Sequence, residues 1–159
     1  MKNSVFAILL FFFSMSLFMS CQNTTADVVD VEQIKQEIQE KENEWAALYN
    51  SGELKEIGYY AEDAISFSQN NAPLIGKEAI KEYIVASVDS SFGSTISFET
   101  IEVFVSNDGN QVVETGYYKL IDSDSIPLNT GYFMTLFEKI DGKYVSVRDM
   151  STSDMPREF

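Results

Sequence analysis

From Thr95 to Ser153 the chain reads as long runs of alternating apolar and polar residues, broken by tight turns. Asn107-Asp108-Gly109 and Asp141-Gly142 are hairpin signals, because Asn, Asp and Gly tolerate the left-handed backbone that two-residue turns require. The runs predict strands at Thr95–Ser106, Gln111–Asp122, Leu128–Ile140 and Lys143–Ser153. Ile96 and Phe98 alternate on one phase and Ile101, Val103 and Val105 on the other, a slip that places a β-bulge near Glu99-Thr100. Tyr132 to Phe137 is apolar on both phases, so this strand needs cover on two sides.

Upstream the period changes from two to about 3.6. Ile34, Ile38, Trp45, Leu48 and Tyr49 mark a helix over Val31–Asn50, with Asp30 and Gln33 at capping-box spacing and Ser51-Gly52 as its stop. A short second helix is expected from Glu53 to Tyr60. Asp63 then ends the helical region before a strand at Ala64–Ser68, a turn at Gln69-Asn70-Asn71 and a return at Ala72–Ile75. Gly76 opens a third helix, Lys77–Val88, with Ile80, Tyr83, Ile84 and Val88 as its apolar stripe. Helices first and a curved antiparallel sheet later make an α+β domain over residues 31–154, followed by a tail at 155–159.

Residues 1–20 read as an address. Lys2 is followed by an apolar run from Val5 to Met19 and a small residue, Ser20; Cys21 follows at once. The pattern resembles a bacterial lipoprotein signal, departing from it at Phe18, where Leu is usual. It implies lipidation at Cys21, a polar tether to residue 30, and an exported protein anchored in a cell-envelope membrane. An ordinary secretory signal and an uncleaved anchor are the alternatives. Cys21 is the only cysteine, so no internal disulfide competes for it.

The 159 residues carry a formal net charge of −14. Such a chain repels phosphate backbones, which argues against nucleic acid as a partner. The sequence contains no histidine. That excludes a Ser-His-Asp triad, a Cys-His dyad and a His-rich zinc site; no metal and no cofactor are expected.

Four stretches carry a family resemblance: Trp45-Ala46-Ala47-Leu48-Tyr49-Asn50-Ser51-Gly52-Glu53; Tyr60-Ala61-Glu62-Asp63-Ala64; Gly76-Lys77-Glu78-Ala79-Ile80; and Asp141-Gly142-Lys143-Tyr144 with Arg148-Asp149-Met150-Ser151. Their order resembles the nuclear-transport-factor-2-like (NTF2-like) superfamily, in its ketosteroid-isomerase-like and SnoaL-like (DUF4440) branch. The resemblance implies a cone of three N-terminal helices packed on a curved antiparallel sheet, open at one end to a small apolar or amphipathic ligand. It also implies a homodimer through the outer sheet face. The position matching the isomerase's carboxylate base is Ser68, and that matching its oxyanion-hole tyrosine is Trp45, so steroid isomerisation is not expected.

Glu114 and Asp149 are the strand carboxylates that could turn inward and act as a base, although strand carboxylates ordinarily face solvent. Arg148 and Asp149, being adjacent, point to opposite faces. Trp45, Tyr60, Ser68, Tyr118 and Tyr132 are the candidate ligand-binding residues, with Tyr144 a further hydroxyl at the rim. Met134 and Met150 are expected in the core. The reading is a membrane-anchored domain that binds a small molecule without catalysis. An isomerase- or hydrolase-like enzyme using Glu114 or Asp149, and a dimeric protein-interaction module, are the alternatives.

Overall fold

The computed structural model describes residues 29–54, 57–90 and 93–156. Cys21 and the whole of the expected signal and most of the tether lie outside them. Helix α1 spans Val31–Ser51. The Asp30 side chain accepts from the Gln33 N–H, and Gly52 closes the helix in the left-handed conformation with its N–H on the Tyr49 carbonyl. Strands β1 (Tyr60–Ser68) and β2 (Leu74–Ile75) precede helix α2 (Lys77–Ser90). Strands β3 (Thr95–Val105), β4 (Gln111–Ile121), β5 (Pro127–Ile140) and β6 (Lys143–Ser151) complete one six-stranded sheet of order β2-β1-β6-β5-β4-β3.

Two helices, not three, are found among the described residues. Glu53 to Tyr60 was expected to be helical; instead Tyr60 already opens β1. Leu54, Ile57, Tyr59 and Tyr60 are all buried, which one short helical face would not achieve. The Tyr59 ring stacks on Trp45 at 5.5 Å and meets Phe137 edge-on at 5.6 Å, so tertiary burial overrides local helical spacing. β1 extends through Asp63, which is exposed within the strand and terminates no helix. The sheet is mixed rather than antiparallel: β1 runs parallel to β6 and antiparallel to β2. The last strand inserts beside the first, a pairing that no local signal encodes.

The bulge sits one residue later than expected. Thr100 pairs with Gly116 and Glu102 with Thr115, leaving Ile101 as the extra residue. Phe98 and Thr100 before it, and Val103 after it, turn inward, whereas Ile101 is exposed.

Helix α1 lies across the concave face and along the free edge of β3. Ile34, Ile38, Trp45 and Ala46 are buried beneath it. On the edge, the Lys35 Nζ donates to the Ile101 carbonyl at 2.7 Å, and Gln39 accepts from the Thr100 N–H at 2.8 Å while donating to the Phe98 carbonyl. Asn50 both donates to the Ile96 carbonyl and accepts from its N–H. These side chains satisfy a strand edge that would otherwise invite pairing with another chain. Gly131 permits another close approach, since a Cβ there would sit 1.9 Å from the Thr152 carbonyl oxygen.

Met134 and Met150, expected in the core, lie 44% and 51% exposed on the convex face. Trp45 is 7% exposed at the junction of helix and sheet. Trp45→Ala should therefore cost about 3–5 kcal/mol of folding stability. Chemical denaturation measures it; an unchanged midpoint would contradict the placement.

Candidate functional site

Between α1, α2 and the concave sheet lies a cavity of about 410 Å³. Its deep end is formed by the buried Glu42, Tyr59, Tyr60 and Ile80; Gln69, Asn71 and Ser153, less buried, stand at its outer end. Trp45, Phe98, Tyr118 and Phe133 supply much of the wall.

The floor is a polar row set by strand register. Ser66 on β1 is paired with Asp149 on β6, Asp149 with Thr135 on β5, and Thr135 with Glu114 on β4. Cross-strand partners point to the same face, so four polar side chains run side by side beneath the cavity. Helix α1 lowers Glu42 onto this row. The Tyr59 hydroxyl donates to Glu42, the Tyr60 hydroxyl to Asp149 Oδ2 at 2.9 Å, and the Thr100 hydroxyl to Glu114 Oε1 at 2.6 Å. The bulge at Ile101 is what aligns Thr100 with Glu114.

These carboxyls resist ionisation. Burial pushes Glu42 well above the usual carboxylate range, the nearby Glu114 charge adds to the rise, and the Tyr59 hydrogen bond opposes it. Burial raises Glu114 to about 7 despite the Thr100 hydroxyl. Asp149 is also raised by burial, against the Ser66 hydroxyl, the Tyr60 hydroxyl and the Phe67 N–H. Tyr59 and Tyr60 are held well above the usual phenol value, by burial first and then by Glu42 and Asp149 respectively, and remain donors. Glu114 Oε2 and Asp149 Oδ1 are buried without a hydrogen bond of good geometry. Glu114 faces Glu42, and a proton shared between the two carboxyls would satisfy the first of these oxygens. Asp149, whose Oδ1 makes only bonds of poorer geometry, lines the cavity.

Of the residues singled out in the sequence, Trp45, Tyr60, Ser68, Tyr118 and Asp149 line the cavity together. Glu114 is fully buried behind its wall and reaches it only through Glu42 and Thr135. Both strand carboxylates thus turn inward rather than to solvent, and Arg148 points outward as expected. Tyr132 does not belong to the cavity: it is 56% exposed on the convex face, its ring 5.0 Å from Tyr117. Tyr144 is buried at the far hairpin, where its hydroxyl donates to the Gly109 carbonyl at 2.6 Å. Two important residues escape the sequence reading, Glu42 and Tyr59. The signal for Glu42 is its place in the series Ile34, Ile38, Glu42, at four-residue steps on the buried stripe.

This architecture has close counterparts among solved structures. An NTF2-like protein with a cystatin-like fold from Novosphingobium aromaticivorans superimposes with a TM-score of 0.63 at 15% identity, over 76% of this chain and 81% of that one. The chain has the NTF2-like fold. A ketosteroid isomerase-like protein from Erwinia carotovora matches this NTF2-like domain at a TM-score of 0.60 and 15% identity, over 76% of this chain and 96% of that one. A putative scytalone dehydratase from Novosphingobium aromaticivorans matches at 0.66 and 16%, over 79% and 88%. No family model and no curated protein matches the sequence. At such identities the likeness establishes the fold and leaves activity to the site.

The raised carboxyls make a stability prediction. A carboxyl whose folded value lies above its unfolded one binds more protons in the folded state, so its contribution to stability is present below the unfolded value and lost as pH rises through the folded one. For Glu114 that window runs from about 4.5 to about 7. Denaturant stability should fall between pH 5 and pH 8. Glu114→Gln, which still accepts from Thr100 but cannot ionise, should remove about 1–3 kcal/mol of that decline. An equal decline in both proteins would contradict the assignment.

Proposed function

We propose that this domain holds a small, largely apolar molecule in the cone cavity, its polar end against Asp149 and Tyr60, on a membrane surface to which lipid on Cys21 anchors the chain. The cavity of about 410 Å³, aromatic along much of its wall and acidic at its floor, carries this reading. Solved neighbours named for ketosteroid isomerase and scytalone dehydratase support it, since both names denote action on small ring-containing molecules. The anchor rests on the segment before Cys21, and an acylated N-terminal cysteine in the mass spectrum of the mature protein is its test.

Proton transfer by Asp149 is the second reading. It is favoured by the Tyr60 hydroxyl 2.9 Å from Asp149 Oδ2, which places a carboxylate and a neutral donor on one cavity wall. Steroid isomerisation itself is not expected, because Ser68 and Trp45 stand where that chemistry uses a base and a tyrosine. Turnover of a 3-oxo-Δ5 steroid that vanishes in Asp149→Asn would establish the catalytic reading and displace the binding-only one.

The convex face is proposed to meet a second copy. Phe67, Met150 and Met134 are successive cross-strand neighbours there, each more than 40% exposed. Light scattering at micromolar concentration should give the mass of two chains, and of one in Met134→Asp.

Trp45 is the only tryptophan and lines the cavity, so its emission reports occupancy. Titration with a neutral probe, 4-phenylbutanol, should shift that emission saturably. Ser68→Phe, which fills cavity space, should weaken the response at least tenfold. No saturable response, or one that Ser68→Phe leaves unchanged, would contradict the proposed site.

A further inference from the structure

The charges lining the cavity are of one sign. Glu42 and Asp149 are its acidic members, and no Lys or Arg stands among its lining residues. Arg148, next in sequence to Asp149, is turned to the other face of the sheet. The Lys77–Glu62 ion pair is formed outside the cavity, away from the floor. Among the described residues, then, no cation lines the cavity to balance its floor.

The wall above this floor is unusually aromatic. Trp45, Tyr59 and Tyr60 form a mutually packed cluster, with ring centroids between 4.9 and 5.9 Å apart. Phe98 packs edge-on against Phe133 at 5.5 Å and tilted against Tyr118 at 6.5 Å on the opposite side. Aromatic faces carry negative potential and attract a cation most strongly where water is excluded. Asp149, whose Oδ1 makes no hydrogen bond of good geometry, is among the residues lining the same space.

A ligand without a donor would leave the Asp149 carboxyl without a counter-charge, and an anionic one would meet two acids with no cation among the lining residues to offset them. A bare metal ion is poorly matched, because among the described residues no group of three or more Cys, Asp or Glu could hold one. Resting on the small-molecule reading of this cavity, we infer that its ligand is an organic cation: an amine on an apolar body, with the ammonium at the Asp149 carboxylate and the body between the Trp45 and Phe98 sides of the wall. The ammonium supplies the counter-charge that the fold withholds. The raised values of Glu42 and Asp149, both due first to burial, accord with this.

The test uses three probes of one skeleton on the full chain in a non-ionic detergent: 4-phenylbutylamine, 4-phenylbutanol and 4-phenylbutyrate, titrated calorimetrically. The amine should bind at least tenfold more tightly than the alcohol, and the carboxylate more weakly than either. Asp149→Asn should abolish the amine's preference over the alcohol, with an unchanged circular-dichroism spectrum showing that the variant is folded. Glu42→Gln provides a second variant, expected to narrow the same gap. If the alcohol or the carboxylate binds as tightly as the amine, or the preference survives both substitutions, the cation inference is overturned and the cavity-binding reading stands. If none of the three binds, that reading falls with it.

Discussion

Everything in the cone depends on how α1 is seated. Its apolar stripe is buried on the sheet, but burial alone is non-directional and would tolerate a slid or rotated helix. Lys35, Gln39 and Asn50 remove that freedom by hydrogen-bonding the backbone edge of β3. The helix is thereby fixed in both translation and rotation. One turn of displacement would break all these bonds and withdraw Glu42 from the floor and Trp45 from the wall. Edge protection and site construction are the same set of contacts.

That seating forces an electrostatic compromise. In a chain of formal charge −14, three carboxyls are gathered beneath one cavity, where burial opposes the charge of each and Glu114 and Asp149 further disfavour that of Glu42. An apolar floor of similar shape would pack with less strain. Asp108 shows that the chain can treat an acid in the opposite way. At the exposed β3–β4 turn it accepts from the Ser106 hydroxyl, the Asn110 N–H and the Asn110 side chain, which lower it to about 2. Asp108 is an acid stabilised in its charged form and used to close a hairpin. Glu42, Glu114 and Asp149 instead resist ionisation at or just behind the cavity wall, an arrangement that costs stability and that is characteristic of functional sites.

The local features were legible because their causes are local. Gly52, the two hairpins, the bulge in β3 and the burial of Trp45 all follow from turn chemistry or from period. Residues whose placement depends on distant pairing were not. Met134, Met150 and Tyr132 read as apolar and inward, yet which phase of β5 faces α1 is decided by register with β4 and β6. The Glu53–Tyr60 segment looked helical until Tyr59 and Tyr60 found Trp45 and Phe137. The mixed sheet results from β6 inserting beside β1, across the whole intervening chain. The cavity lining is partly legible in sequence: Asp149, Tyr60, Ser68, Trp45 and Tyr118 stand out, whereas Glu42 is one charge among many on a charged helix and only its four-residue step from Ile38 marks it as buried.

The central claim is that the cone floor is a row of carboxyls whose ionisation burial opposes. Carbon-13 NMR titration of the Glu and Asp side-chain carboxyls measures this directly. The Glu114 resonance should titrate at about 7, with Glu42 and Asp149 also above the ordinary carboxylate range. Midpoints for all three close to about 4, as for solvated carboxylates, would contradict the account.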